Sequence, residues 1–398
     1  MKLFSKIVLF TFIYICSIYY VYGQTYKNKD SIPIKYYSHL YLSGKINNIE
    51  GLFLFDTGAD NLYFDSIFYN KNLNYPTIGK GLLPGVGSTP QEVKVILDDV
   101  NVVFNDYLYT TTMVPVMSLK TLVGDQADGI IGYEFFNEKV IEINYINEYM
   151  RVFENIESID TKDYTKIQLK RVKDRLLIPL TVNVNDSISI NNEFLLDLGS
   201  GSNISFTSYI SDKYNLDRHI TEKVNYYTKY GGAGGDSQSY VFITKSVIIG
   251  GYEIEYPVSD YSLDKAGALA SGYYAGLVGN EIFQKFDLIL DYRNNVLYIK
   301  PNSNFSEETG VPRLGFGYTY RAETLGGLIV SGFYKGSSAE KSGLQVDDMI
   351  IEINDIPVKS LNQDQINDIW RSEKIKLKVE RLSDTLIFEI NPKPLLVK

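Results

Sequence analysis

Cysteine is nearly missing from this 398-residue chain, with Cys16 its single instance. Cys16 lies inside an apolar leader, so the rest of the chain holds no thiol. Disulfide frameworks, thiolate metal sites and cysteine nucleophiles are excluded together. Histidine is almost as scarce. His39 and His219 have no partner at ligand spacing and read as strand-face or surface residues. No Gly-x-Ser-x-Gly turn exists to carry a serine hydrolase, and Gly232-Ala233-Gly234 does not open a helix after a buried strand, as dinucleotide binding requires. Basic charge is also short: 39 Lys and Arg stand against 48 Asp and Glu, a balance of −9 that argues against a nucleic-acid partner.

Aromatic residues are plentiful instead. Apolar residues make up 44% and charged residues 22%, and the 33 Tyr and 20 Phe favour strand-rich packing. Lys2 and Lys6 precede an apolar run from Ile7 to about Tyr20, and Val21-Tyr22-Gly23 offers a cleavage site before Gln24. Residues 1–23 are therefore expected to be a signal peptide. The expected product is periplasmic, held in the cell envelope or secreted, with no membrane anchor left after cleavage. Removing Lys2 and Lys6 leaves 37 basic against 48 acidic side chains, a balance of −11.

The run Leu52-Phe53-Leu54-Phe55 ends abruptly in Asp56-Thr57-Gly58. A bulky apolar run bounded by turn residues reads as a strand covered on both faces, which delivers a carboxylate to a tight turn at the edge of a core. A second copy, Phe194-Leu195-Leu196-Asp197-Leu198-Gly199, follows 141 residues later. Two carboxylates brought together in this way can share a proton and activate a water.

The copies belong to a larger repeat. Gly129, Gly132, Glu134, Phe136 and Tyr145 match Gly276, Gly279, Glu281, Phe283 and Tyr292 at a constant offset of 147. A duplicated β-rich lobe follows, over residues 31–158 and 165–304, with Ile159 to Lys166 as the connection. Strands are expected over His39 to Leu42, Lys45 to Ile46, Glu92 to Leu97 and Tyr240 to Ile249. Residues 306–398 read as a separate small domain, with a capping box at Ser337 to Glu340, a helix stop at Gly343, a second helix marked by Leu361, Ile366, Ile369 and Trp370, and a strand from Lys374 to Glu380.

These residues carry a resemblance. Phe55-Asp56-Thr57-Gly58-Ala59 resembles the active-site signature of pepsin-like and retroviral-type aspartic proteases, and Ile130-Ile131-Gly132 resembles the apolar-apolar-Gly element that packs beneath that loop. The resemblance covers roughly Ser31 to Pro301. It implies a mainly β fold of two related β-barrel lobes and an exported endopeptidase in which Asp56 and Asp197 flank a nucleophilic water, with Thr57, Gly58, Leu198 and Gly199 supporting the loops. No metal or cofactor is implied, and the partners are peptide or protein substrates. It also implies a hairpin over the cleft, for which Gly85-Val86-Gly87 and the Gly231 to Gly235 run, with Gly232 and Gly234, stand at the expected distance after each acid. The second motif departs from the family: Leu198 stands where Thr or Ser joins the hydrogen bonds that lock the two Asp loops together. That departure leaves a second reading, a catalytically inactive peptide-binding protein on the same fold. The C-terminal part resembles a PDZ domain of the bacterial envelope-protease kind, with Leu314-Gly315-Phe316 as the loop that would receive a peptide carboxylate.

Overall fold

The computed structural model describes residues 31–83, 91–231 and 235–397. The fold is mainly β, as the aromatic-rich composition and the short alternating runs imply.

Each Asp motif sits at the end of a strand in the same local arrangement. Ile49–Phe55 runs parallel to Gly129–Ile131, with Phe55 beside Ile131, and Gly129–Ile131 runs antiparallel to Leu62–Asp65. In the second lobe Ser189–Leu196 runs parallel to Gly276–Val278, which runs antiparallel to Ile204–Phe206. Short parallel pairing of this kind needs strands buried on both faces. Phe53, Leu54, Phe55, Phe194, Leu195 and Leu196 are all buried accordingly.

A sheet shared by the lobes sets their relation. Val140–Asn144 of the first lobe pairs antiparallel with Phe286–Asp291 of the second, from Val140 opposite Asp291 to Ile143 opposite Leu288. Tyr149–Phe153 and Ile32–Tyr37 extend it on one side, and Val296–Pro301 and Thr165–Gln168 on the other. The offset of 147 is visible in its turns. Asn144 Oδ1 accepts from the Asn147 N–H, and Asp291 Oδ1 accepts from the Asn294 N–H. The paired Tyr145 and Tyr292 are both buried in the common core.

Some expected boundaries move. Thr165 and Lys166 belong to a strand of the shared sheet rather than to the connection. His39–Ile46 is one strand, because at Gly44 the ring of Phe104 fills the space a side chain would take. The run from Tyr240 to Ile249 is two strands, Ser237–Ile243 and Ser246–Ile249.

The C-terminal region has its own core, which includes Phe316, Leu328, Val330, Ile350, Ile366, Trp370 and Leu377. Ser337 caps the Ser338–Lys341 helix by accepting from the Glu340 N–H, while the Glu340 carboxylate reaches the Gly336 N–H rather than that of Ser337. The region is not detached, however. Gly327–Tyr334 pairs with Lys223–Thr228, so the sheet of the second lobe continues into it. Among the described residues no helix is long and apolar enough to cross a membrane.

Candidate functional site

Asp56 and Asp197 meet where the two lobes face each other. A Cβ built on Gly58 would lie 3.0 Å from Asp56 Oδ1 and 3.3 Å from Asp197 Oδ1, so one small space touches both carboxyls. The carboxyl group of Asp56 sits directly against Gly199, where any side chain would collide with it. This close approach is the physical reason for glycine in the second motif.

The loops are held by corresponding bonds. Asp56 N–H donates to Ile131 O and Asp197 N–H to Val278 O, each at 3.0 Å. Asp56 Oδ1 accepts from the Gly58 N–H at 2.6 Å and the Ala59 N–H at 3.1 Å. Asp197 Oδ1 accepts from the Gly199 N–H at 3.0 Å. Burial pushes both acids above the ordinary carboxylate range, and the charge of Asp56 pushes Asp197 further. Gly58 N–H, the Arg175 guanidinium and Ala59 N–H pull Asp56 back down, as Gly199 N–H, the same guanidinium and Ser200 N–H do for Asp197.

Thr57 carries the contact between the loops. Its Oγ1 donates to Leu196 O at 2.7 Å and accepts from the Leu198 N–H at 2.9 Å. Leu198 returns no such bond, and its side chain is buried in the main core. Other groups brace the second loop instead. Asn280 Nδ2 donates to Leu198 O at 2.5 Å and Ser200 O at 3.2 Å, and Asn280 Oδ1 accepts from Tyr145 OH of the first lobe at 2.6 Å. His39 Nδ1, also from the first lobe, donates to Gly199 O at 2.9 Å, and burial lowers its pKa, so the ring is neutral with its proton on Nδ1.

The sequence offered little sign of these braces. His39 does lie on a strand, as read, but it is half-buried and bridges the lobes, which its strand position alone did not signal. Asn280 stands opposite Tyr133 in the repeat, so comparing the copies marks it only as a difference. Arg175 pairs with Asp60 at 2.7 Å beside the dyad, and neither residue lies in a repeated position that would flag it.

The flap candidates Gly85, Val86, Gly87, Gly232 and Gly234 lie outside the described residues, as does the leader. The strands that flank those glycine runs do pair: Thr77–Leu83 with Gln91–Ile96, and Lys223–Thr228 with Ser237–Ile243. Among the described residues no three His, Cys, Asp or Glu side chains are grouped as metal ligands.

A second candidate site lies in the C-terminal region. Leu314 and Phe316 pack on its core, and Gly315 O accepts from the Tyr334 N–H and from Ser337 Oγ. The Phe316–Arg321 strand pairs with Gly327–Tyr334. The Gln363–Ile369 helix is tied to this strand through Tyr318, whose OH receives bonds from Gln363 Nε2 and Trp370 Nε1. A family model described as PDZ domain matches residues 305–380. Residues 305–380 are a PDZ domain. The match fits the loop, strand and helix just described, and it supports a peptide or protein partner. No curated protein matches the chain.

Proposed function

We propose that the chain is an exported aspartic endopeptidase, in which Asp56 and Asp197 activate a water and the PDZ domain recognises peptide through the Leu314-Gly315-Phe316 loop. The observation that carries this reading is the one small space bordered by two half-buried carboxyls from different lobes. Like charges so close resist joint ionisation, so the pair holds one proton.

Asp197, pushed further up by the charge of Asp56, keeps the proton, and Asp56 keeps the charge. A water between them gives its proton to Asp56 as its oxygen attacks the scissile carbonyl carbon. The proton on Asp197 bonds to the carbonyl oxygen as charge develops there. Breakdown of the tetrahedral species breaks the C–N bond, and the proton gained by Asp56 passes to the leaving amine. The Arg175 guanidinium pulls both carboxyls back down.

Incubation with a diverse peptide mixture from pH 3 to 8, read by mass spectrometry, tests the reading. Cleavage that disappears in Asp56→Asn and Asp197→Asn supports it. Binding of extended peptides without cleavage at any pH favours the second reading, an inactive peptide-binding protein, for which the PDZ domain and the apolar Leu198 speak. Export is proposed from the leader alone, and the intact mass of natively exported protein tests whether the chain begins near Gln24.

A further inference from the structure

We propose that the PDZ domain engages only about the last four residues of a C-terminal peptide, ending in a small side chain, because the Gly124–Asp125 loop of the first lobe already occupies the far end of its peptide-adding edge. The inference rests on the peptide-recognition reading of the 314–316 loop.

The Phe316–Arg321 strand has Gly327–Tyr334 on one edge. Arg321 O accepts from the Leu325 and Gly326 N–H groups in the turn joining these strands, so the polar groups of Arg321 face that partner. Polar groups alternate in direction along an antiparallel strand, and those of Tyr320 and Tyr318 therefore face the opposite edge. A peptide entering as an added strand uses this edge, with its carboxylate at the 314–316 end. At the other end the place is taken: the Asp125 N–H donates to Tyr320 O at 2.8 Å. Gly124 lies alongside, where a Cβ would stand 3.0 Å from the same oxygen. A ligand can thus pair with Phe316 and Tyr318 but not with Tyr320, which limits its paired part to about four residues at one residue per strand position.

The capping loop is pinned. Asp125 Oδ1 accepts from Arg321 Nε at 3.1 Å and Thr324 Oγ1 at 2.5 Å, and Oδ2 accepts from the Glu323 N–H at 2.8 Å and the Thr324 N–H at 3.0 Å. Lys120 Nζ holds Asp125 O from behind at 2.7 Å. Asp125 and Arg321 are both buried, so the contact is a built interface rather than a surface touch. Residues of a longer ligand beyond the fourth can pair with the strand only by displacing this loop, which would detach the PDZ domain from the first lobe. With the loop in place they stay off the strand and add little affinity.

Tyr318 sets the second restriction. Its ring reaches across to the Gln363–Ile369 helix, 5.8 Å from Trp370, and Phe316 lies 5.9 Å from the same indole. These three rings border the space between strand and helix where a terminal side chain would enter, which favours a small one.

The test uses the full chain and a library of fluorescein-labelled octapeptides with free C-termini, each binder then being shortened from its N-terminus and followed by anisotropy. For wild type, shortening from eight to four residues should change Kd by less than about threefold, and replacing a terminal Ala or Ser by Phe should weaken binding by about tenfold or more. In Asp125→Ala, and in Thr324→Ala as a milder release of the same pin, octapeptides should bind about tenfold tighter than tetrapeptides. A wild type that loses tenfold between eight and four residues, or a length dependence unchanged by both variants, overturns the cap while leaving peptide recognition intact. Failure of wild type and both variants to bind any octapeptide overturns the recognition reading and the cap with it.

Discussion

Thr57 Oγ1 bridges the two Asp loops alone, donating to Leu196 O and accepting from the Leu198 N–H, with no reciprocal bond from the second loop. Thr57→Val keeps the shape but leaves that carbonyl and that N–H buried and unpaired. A loss of roughly 2–4 kcal/mol is expected from two such groups. Thr57→Ser should retain most of the stability. Urea unfolding of the three proteins checks this, and a Val variant as stable as wild type would remove the bridge from the account.

Leu198→Thr does not restore a symmetric lock. Leu198 is packed in the main core, and Asn280 and His39 already brace its loop through Leu198 O, Ser200 O and Gly199 O. The substitution should cost about 1–3 kcal/mol, the loss of a buried apolar group and the burial of a hydroxyl, and should give no gain in kcat/KM. Higher activity together with unchanged stability would show that the lost hydroxyl matters more than the packing that replaced it.

The proposed dyad predicts a bell-shaped pH profile. Burial and the charge of Asp56 push Asp197 up to about 7, so the single proton is lost above that pH and the rate falls on the alkaline side. On the acidic side Asp56 gains its proton, also above the ordinary range. Arg175→Gln removes a cation that lowers both acids, so both limbs should move to higher pH. Asp56→Asn and Asp197→Asn should each lower kcat by more than about 100-fold with little change in the unfolding midpoint. Full turnover by either Asn variant would end the catalytic assignment.

How much of this was legible in the sequence differs by element. The strands ending at Asp56 and Asp197 announce themselves, because a doubly covered strand must be apolar along its length and the acid then ends it sharply. The repeat at offset 147 was equally visible, since each copy solves the same packing problem beneath its loop. Contacts between lobes left no local trace. Whether His39 faces solvent or Gly199 O depends on where a chain 160 residues away passes, and the alternation of its own strand does not encode that. Asp125 is similar: the four bonds of its carboxylate go to residues 196 to 199 positions later.

Asp260 was not visible as a special residue, yet it is a half-buried acid whose loss of solvent pushes its pKa up to about 7. Its partner is the Ser205 hydroxyl on the neighbouring strand. The folded protein holds this proton more tightly than the unfolded chain. The folded state is therefore favoured below the ordinary carboxylate pKa and loses stability as pH rises from about 4 to about 7. Asp260→Asn keeps an acceptor for Ser205 and removes the penalty. The variant should be more stable than wild type by roughly 1–3 kcal/mol at pH 8, and the gap should shrink or reverse at pH 4. Denaturant midpoints at the two pH values decide it, and an equal gap at both would refute the titration of Asp260.

The joint between the second lobe and the PDZ domain predicts unequal consequences of cutting the chain near residue 305. Tyr226, Tyr227 and Thr228 pair with Tyr334, Phe333 and Gly332, Lys229 N–H donates to Ser331 O, and the rings of Tyr226 and Tyr334 lie 4.5 Å apart. Lys229 and Tyr230 add contacts to Asp347 at 2.5 and 2.8 Å. The isolated piece 306–398 keeps its own core from Phe316 to Ile390 and should fold alone, with a lower unfolding midpoint because Phe333 and Tyr334 lose their cover. The remaining piece 31–304 is left with Lys223–Thr228 as an unpaired edge on which Tyr226 loses the cover of Tyr334 beside the already exposed Tyr227, an invitation to strand-to-strand association. That piece should elute as oligomers in size-exclusion chromatography, and activity on short peptides, if it survives, should reside in whatever monomer remains. Lys or Glu substituted at Tyr227 should restore the monomer, since charge on an exposed edge opposes pairing. A truncated chain that is monomeric without such a substitution, and as stable as the full protein, would show that the shared sheet is a passive contact.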